Sequence, residues 1–157
     1  MKDALLLFIV LPIFIMIGSV FISSPMISLA IAQSDSVIQS QETNYPGIIA
    51  ELIQCKRKKG VLTVKVRLKN ISVKSVKTWW PDVHKTSYLL DETNQKKYFP
   101  LKDAKGECIC NAVSDNIKPN MSRTSWFKFP APPQEVEEIS IVFPLSAPFE
   151  DVPIKDK

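Results

Sequence analysis

A strict alternation of apolar and polar residues marks the segment from Leu62 to Lys69, which Val61 precedes. The apolar positions are Leu62, Val64, Val66 and Leu68. A period of two places these side chains on one face of a strand, so the pattern predicts a β-strand with one buried and one hydrated face. A shorter apolar run, Ile48 to Gln54, precedes this strand and ends at Cys55. The charged turn between the two runs, residues 56–60, predicts a β-hairpin.

Further strand patterns follow along the chain. Thr86 to Leu90 and Lys97 to Phe99 flank a polar turn, Ser122 to Phe129 alternates, and Glu138 to Phe143 is the last clear strand. No stretch after Ala32 shows the apolar period of a helix. Short strands separated by turn signals about every ten residues are typical of an all-β antiparallel sandwich.

The N-terminus indicates the compartment. Ala4 to Ile22 contains no charged residue, and Ala30-Ile31-Ala32 precedes a polar stretch. This order predicts a signal peptide over residues 1–32, cleaved before Gln33. The alternative is an uncleaved membrane anchor formed by residues 4–22, because about 20 apolar residues span a bilayer. Both interpretations place the rest of the chain outside the cytoplasm, secreted or periplasmic.

The remaining chain is interpreted as one domain with a short leader. Residues 33–45 are polar and aperiodic, which predicts a flexible lead-in. Residues 46–157 are long enough to bury a hydrophobic core without the help of a metal. The formal net charge is +4, and this mild basicity in an exported chain predicts no nucleic-acid partner. A membrane partner is expected only if the N-terminal segment stays uncleaved.

Three cysteines provide the first candidate chemistry: Cys55, Cys108 and Cys110. An oxidising compartment favours disulfides. In an extended strand, Cys108 and Cys110 would lie nearly 7 Å apart, whereas a disulfide requires β-carbons near 3.8 Å. We therefore expect a bridge from Cys55 to Cys108 or Cys110, which would contribute roughly 4 kcal/mol by closing a long loop. The third cysteine would be free or paired with another molecule.

A soft-metal site is the alternative use of the same cysteines. Three thiolates with Met121 or His84 as the fourth ligand would suit copper or zinc. However, the Cys-x-Cys spacing lacks the Cys-x-x-Cys pairs of established zinc motifs. A thiol-redox role requires a reactive cysteine pair at a helix terminus, and no such helix is predicted. We therefore expect no cofactor and keep the metal set as an alternative.

Trp79 and Trp80 are the candidate ligand-binding residues. They lie in a proline-bounded loop, and adjacent side chains of an extended chain point in opposite directions, so one ring is expected at the surface. Exposed loop aromatics bind sugars or proteins. In the competing interpretation, both rings cap the core. His84 has no neighbouring nucleophile motif, so no catalytic triad is predicted, although an enzyme with a loop-built site stays open.

Three phrases carry a resemblance to a known group of proteins. They are YLLDETNQKKYFPLKDAKGECIC (Tyr88 to Cys110), WFKFPAPP (Trp126 to Pro133) and PFEDVPI (Pro148 to Ile154). These phrases resemble exported bacterial domains that occur alone or ahead of an OmpA-type peptidoglycan-binding domain. The likeness covers roughly residues 48–154 and is strongest from Tyr88 onward. It implies an immunoglobulin-like β-sandwich of uncharacterised role, without established catalytic residues.

These observations together predict an exported, non-catalytic binding or cell-envelope interaction module. Its expected partner is a protein or an envelope glycan. The alternatives are an extracytoplasmic copper- or zinc-binding protein that uses the cysteines, and an enzyme with a loop-built site.

Overall fold

The computed structural model describes residues 36–80, 82–112 and 114–156. The predicted signal peptide or anchor, residues 1–32, lies outside the described residues. Residues 33–157 form one compact unit, and its described part is nearly all β, with a single helical turn, α1 (Val83–Thr86). No helix in this described part has the length and apolar character needed to cross a membrane.

Strands joined by turns and loops make up the described part of the unit. In chain order they are β1 (Gln39–Glu42), β2 (Ile48–Lys58), β3 (Val61–Asn70), β4 (Val76–Lys77), β5 (Tyr88–Asp91), β6 (Lys96–Tyr98), β7 (Cys110–Asn111), β8 (Asn116–Ile117), β9 (Ser122–Pro130), β10 (Glu138–Val142), β11 (Phe149–Pro153) and β12 (Lys155–Asp156). The predicted hairpin is confirmed as β2 and β3, and the other predicted strands are confirmed as β5, β6, β9 and β10.

The larger sheet has the order β1-β2-β3-β9-β7. Its neighbours pair in antiparallel fashion, while β12 pairs in parallel with the far half of β2. Because β3 occupies one side of β2 along its length, β1 and β12 share the other side. The central strands β2, β3 and β9 therefore form the body of this sheet, and short strands cover its edges.

The second sheet has the order β11-β10-β5-β6, and β4 pairs with β8 in a two-stranded ribbon. One hydrophobic core takes side chains from both larger sheets. Val64 and Phe127 come from the first sheet, and Leu89, Ile141 and Phe149 come from the second; all five are fully buried. The predicted all-β class with antiparallel sheets is confirmed.

The lead-in predicted over residues 33–45 needs a correction, because part of it is β1. Gln39 to Glu42 pair with Ile49 to Leu52 of β2. The Gln39 and Gln41 side chains also donate hydrogen bonds to the carbonyl oxygens of Glu150 and Pro148. Backbone pairing and side-chain amide groups hold β1 in place at the edge of the sheet. The strand therefore needs no apolar face, and its sequence shows no apolar period.

Arg57 ties three segments together at the hairpin end of β2. Its side chain is only 7% exposed. Nε and Nη2 donate hydrogen bonds to the Asp156 carboxylate in β12 at 2.6 and 2.9 Å. Four more hydrogen bonds reach backbone carbonyl oxygens of the proline-rich segment 132–136. One buried guanidinium therefore joins β2, β12 and the connection from β9 to β10.

The ion pair between Arg57 and Asp156 also makes folding sensitive to pH. The hydrogen bond from Arg57 lowers the pKa of the Asp156 carboxyl below its ordinary value. A carboxyl with a lower pKa in the folded state contributes stability above its unfolded pKa, and this contribution disappears as the pH falls through the folded pKa. The pair therefore supports folding at neutral pH and is lost in acid, below about pH 4.

Replacing Arg57 with methionine should destabilise the domain strongly. The change removes six hydrogen bonds and leaves buried carbonyl groups without donors. We expect the free energy of unfolding at pH 7, measured in urea, to fall by about 2–4 kcal/mol. The difference from wild type should shrink as the pH falls below about 4 and then through the lowered pKa of Asp156 in the folded protein.

Arg123→Met is the matched control. Arg123 forms an ion pair with Asp115 at the surface, where both side chains are well exposed. Loss of such a pair should leave the unfolding free energy nearly unchanged. Equal destabilisation by both substitutions would contradict the role given to Arg57.

Candidate functional site

The two adjacent tryptophans face opposite environments. Trp80 is 5% exposed and packs in the core, where its ring centroid lies 5.8 Å from Phe127 and 5.9 Å from Phe143. Trp79 is 62% exposed. The prediction that one ring reaches the surface is confirmed, and Trp79 is that residue. Trp80, the other candidate, is a core residue that holds its neighbour in place.

Tyr45 fixes the backbone that carries Trp79. Its hydroxyl donates a hydrogen bond to the Trp79 carbonyl oxygen at 2.7 Å and accepts one from the Trp79 amide at 3.0 Å. Trp80 is anchored next to it, since its amide donates to the Ser114 hydroxyl. Both polar backbone groups of Trp79 are thus satisfied within the domain, and its indole ring remains free to contact a partner.

Asn70 organises the neighbouring loop, residues 71–75. Its buried side-chain amide donates to the carbonyl oxygens of Lys74 and Ile117. Its side-chain oxygen accepts hydrogen bonds from the amide and the hydroxyl of Ser72. This one side chain therefore satisfies four hydrogen bonds and sets the path of a loop that has no regular structure.

The turn before β2 packs closely against this loop. The Ile71 amide donates a hydrogen bond to the Gly47 carbonyl oxygen at 2.9 Å. Gly47 has a φ of +81°, and a β-carbon at this position would lie 2.6 Å from the Ser72 β-carbon. Glycine therefore permits both the turn and the close approach, and the loop and the turn form one surface.

We call this surface the Trp79 end. It comprises Trp79, the turn 44–47 before β2, the loop 71–75 after β3 and the turn 118–121 before β9. Pairing of Ile48 with Asn70 and of Lys69 with Ser122 brings these segments to one end of the larger sheet. Four of the exposed large apolar residues lie here: Ile71, Val73, Trp79 and Met121. An exposed apolar group of this kind is typical of a contact surface.

Cys55 is not joined to the other cysteines, so the predicted bridge is wrong. Cys55 pairs with Val64, Val64 with Phe127, and Phe127 with Cys110. Strands lie about 4.8 Å apart, so the row of four residues separates Cys55 from Cys110 by roughly 14 Å between α-carbons. A disulfide cannot span more than about 7 Å between α-carbons. Strands β3 and β9 stand between the two cysteines.

The disulfide instead joins Cys108 to Cys110, with α-carbons 5.3 Å apart. The chain bends at Ile109, whose amide donates to the Leu101 carbonyl oxygen and whose carbonyl accepts from the Lys128 amide. This bend removes the extended geometry that the sequence interpretation assumed. A loop this short stabilises the fold by only about 1.5 kcal/mol in the chain-entropy model, well below the contribution expected of the long loop.

Cys55 is a buried free thiol. It is 1% exposed, and burial raises the pKa of its thiol to about 12, with Arg57 opposing the shift. A thiol whose pKa rises on folding contributes stability below its ordinary pKa near 9.0, and this contribution is lost as the pH rises towards 12. Cys55 therefore behaves as a small core residue and not as a nucleophile.

The structure does not bring the predicted metal ligands together. Cys108 and Cys110 are consumed in the disulfide. The Met121 carbonyl accepts a hydrogen bond from the Asn70 amide, which places Met121 at the Trp79 end, about 23 Å along β2 from Cys55. His84 lies on α1. Among the described residues, no group of three or more His, Cys, Asp or Glu side chains is arranged to hold a metal.

Sequence reasoning missed the residues that build the Trp79 end. Tyr45 lies at the end of the predicted lead-in, and Asn70 and Val73 follow the predicted strand outside any predicted element. The signal present in the sequence was the pair Ile71 and Val73 among polar loop residues. The hydrogen bonds of Tyr45 and Asn70 join segments distant in the chain, so they had no local pattern.

The chain matches no protein-family model, and no curated protein or solved structure matches it. The site therefore rests on its own geometry.

A thiol titration should separate the observed cysteine arrangement from the expected one. In the native protein, Ellman's reagent should detect no thiol, even at pH 9, because Cys55 is buried with a pKa of about 12. In denaturant it should detect one thiol, and after reduction three. Cys55→Ala should leave the Cys108–Cys110 disulfide intact on peptide mapping. A peptide that links Cys55 to either residue would refute the assignment.

The two tryptophans should respond differently to truncation. Trp80→Ala leaves a cavity beside Phe127 and Phe143, so we expect the unfolding free energy to fall by about 3–5 kcal/mol. Trp79→Ala removes an exposed ring and keeps the backbone hydrogen bonds to Tyr45, so the loss should stay below about 1 kcal/mol. Chemical denaturation of both variants measures the difference. A strongly destabilised Trp79→Ala protein would show that Trp79 is a structural residue.

Proposed function

We propose that this chain is an exported, non-catalytic binding module that contacts a cell-envelope partner through the Trp79 end. The domain is interpreted as an immunoglobulin-like β-sandwich. Two antiparallel sheets that share one core support this interpretation, together with the resemblance carried by the segments from Tyr88 to Ile154. Sandwiches of this class carry binding loops at the ends of their sheets, which is where Trp79 lies.

The exposure of Trp79 on a fixed backbone is the observation that carries the proposal. Leaving most of an indole ring in water forgoes a burial free energy of roughly 2 kcal/mol. The backbone on both sides is held by Tyr45 and by the buried Trp80. A rigid aromatic group of this kind can bury a large area on binding while losing little conformational entropy.

The expected export agrees with the disulfide chemistry of the chain. Disulfides persist in oxidising compartments outside the cytoplasm. The disulfide between Cys108 and Cys110 therefore supports the expectation that the chain is exported. The metal-binding alternative receives no support, because two of its thiols are bonded to each other and the third is buried in β2, with β3 and β9 between it and the disulfide. We therefore place the partner among proteins and envelope surfaces and assign no metal to the cysteines.

Co-sedimentation with bacterial envelope fractions tests the proposal. Residues 33–157 should sediment with at least one fraction, membranes or cell-wall sacculi. Trp79→Ala should reduce the bound amount about tenfold, because the exposed ring is the central contact. The measurement is the bound fraction at a series of envelope concentrations, with circular dichroism to verify that each variant is folded.

Trp126→Ala is the matched control. Trp126 is half-buried on the outer face of β9, in register with Lys65 of β3, and lies in the middle of the sheet. Its removal should leave binding unchanged if the Trp79 end is the contact surface. Equal loss of binding in both variants, or no binding of the wild type to any fraction, would refute the proposal.

A further inference from the structure

Unpaired positive charge surrounds the apolar residues of the Trp79 end. The exposed lysines of this region are Lys69, Lys74, Lys77 and Lys118. Among the described residues, none of these lysines forms an ion pair. Lys69 precedes Asn70 at the end of β3. Lys74 lies in the loop 71–75, and Lys118 begins the turn that ends at Met121. The Lys77 backbone pairs with Asn116 in the ribbon beside them.

The carboxylates of the same region do not cancel this charge. Asp115 is paired with Arg123 at 2.6 Å, and Asp82 is paired with Lys85 at 3.0 Å. Within this region of the described chain, Glu42 at the end of β1 is an exposed carboxylate without an ion pair. The four lysines outweigh it, so the Trp79 end has a net positive charge of its own.

We propose that the Trp79 end docks onto the surface of an anionic lipid bilayer. Trp79, Val73, Ile71 and Met121 enter the interfacial region, and the surrounding lysines meet the phosphate groups of the lipids. This inference rests on the proposed function, since it names the partner of the same surface. The domain then binds the membrane by its own loops, independently of residues 1–32.

The chemistry of the surface favours lipid over the other partners. The Val73 side chain is 90% exposed, so it projects from the loop and does not line a groove that a peptide could fill. Trp79 is the one flat ring among the four exposed apolar residues of this surface, whereas Ile71, Val73 and Met121 have no ring on which a sugar could stack. Tryptophan is enriched at membrane interfaces. Each lysine near the surface of an anionic membrane adds to the electrostatic attraction between the protein and the lipids.

The opposite end of the domain shows why one orientation is preferred. β2 has eleven residues, which places the two ends of the larger sheet roughly 33 Å apart. At the far end, the lysines are Lys56, Lys58, Lys59 and Lys155, and the hydrogen bond from Arg57 to the Val136 carbonyl brings the segment with Glu135, Glu137 and Glu138 to the same end. Charges of both signs are therefore mixed there. An anionic surface therefore attracts the Trp79 end and gains little from the far end.

Binding to synthetic vesicles is the direct test, with residues 33–157 as the protein. This segment is one compact unit that contains the described core, and it excludes the apolar N-terminal run. Vesicles of equal parts phosphatidylglycerol and phosphatidylcholine should bind it at least tenfold more tightly than vesicles of phosphatidylcholine alone. Raising the salt from 0.1 to 1 M should remove most of this difference, since the screening length falls from about 10 to 3 Å.

Paired variants locate the contact. Lys74→Gln with Lys118→Gln should weaken binding to the anionic vesicles by about thirtyfold. Lys65→Gln with Lys128→Gln removes the same charge from the middle of β3 and β9 and should change binding by less than about threefold. Val73→Ser should cost about tenfold by removing an inserted apolar group. Equal losses in the two lysine pairs would overturn the inference, because binding would then follow total charge.

Tryptophan fluorescence gives an independent reading of insertion. In a Trp126→Phe background, Trp79 is the exposed indole and Trp80 is buried. Its emission should shift to shorter wavelength on addition of anionic vesicles, and the shift should vanish in the Trp79→Phe variant. Absence of a shift at saturating vesicle concentration would overturn the insertion of Trp79.

The outcomes also separate this inference from the proposed function. Trp79-dependent sedimentation with envelope fractions, combined with no binding to anionic vesicles, would overturn the lipid partner and leave the binding module standing. If protease treatment of the envelope fraction then abolished binding, the partner would be a protein. Failure to bind both the vesicles and every envelope fraction would overturn both proposals.

Discussion

Phe127 occupies the position on which the other features of the domain depend. It is fully buried in β9, and its ring lies 4.9 Å from Phe143 and stacks on Trp80 at 5.8 Å. In the sheet, it stands between Val64 and Cys110. One side chain thus joins the central strands, the segment after β10 and the loop that carries the tryptophans. Dispersion and burial of aromatic surface at this point hold the two sheets together.

The exposure of Trp79 follows from the same packing. With Trp80 drawn against Phe127, the alternation of an extended chain directs Trp79 outward. Tyr45 then satisfies the amide and the carbonyl of Trp79, so the domain retains this geometry without burying the ring. Asn70 does the same for the adjacent loop. The surface is therefore built on a rigid core through hydrogen bonds that fix the backbone and leave the apolar side chains exposed.

Much of the fold was predictable because β3, β9 and their partners alternate strongly along the chain. Six short strands were missed, namely β1, β4, β7, β8, β11 and β12. They lie at sheet edges or in the two-stranded ribbon, where backbone pairing holds a strand without an apolar period. The predicted bridge from Cys55 was wrong because it assumed an extended chain at Ile109. In addition, the sequence does not reveal the strand order, which places β3 and β9 between Cys55 and Cys110. The sequence pattern places Arg57 in a charged turn, and only the path of residues 132–136 shows that its side chain is buried. For the candidate site, the sequence indicated one exposed tryptophan. The lysines and apolar loop residues around it could not be predicted, because pairing between strands distant in the sequence brings them together.

The burial of Arg57 also bears on which end of the domain is suited to a charged partner. The run from Lys56 to Lys59 is the densest basic segment in the sequence, yet its arginine is turned inward and paired with Asp156. Exposed glutamates of the segment 135–138 lie at the same end as the remaining lysines. At the Trp79 end, the lysines are dispersed in sequence over Lys69, Lys74, Lys77 and Lys118, and among the described residues of this region only Glu42 offsets them. The density of basic residues in the sequence would therefore suggest the far end as the binding surface. The net charge that remains after ion pairing in the folded domain is instead largest at the end that also exposes Trp79.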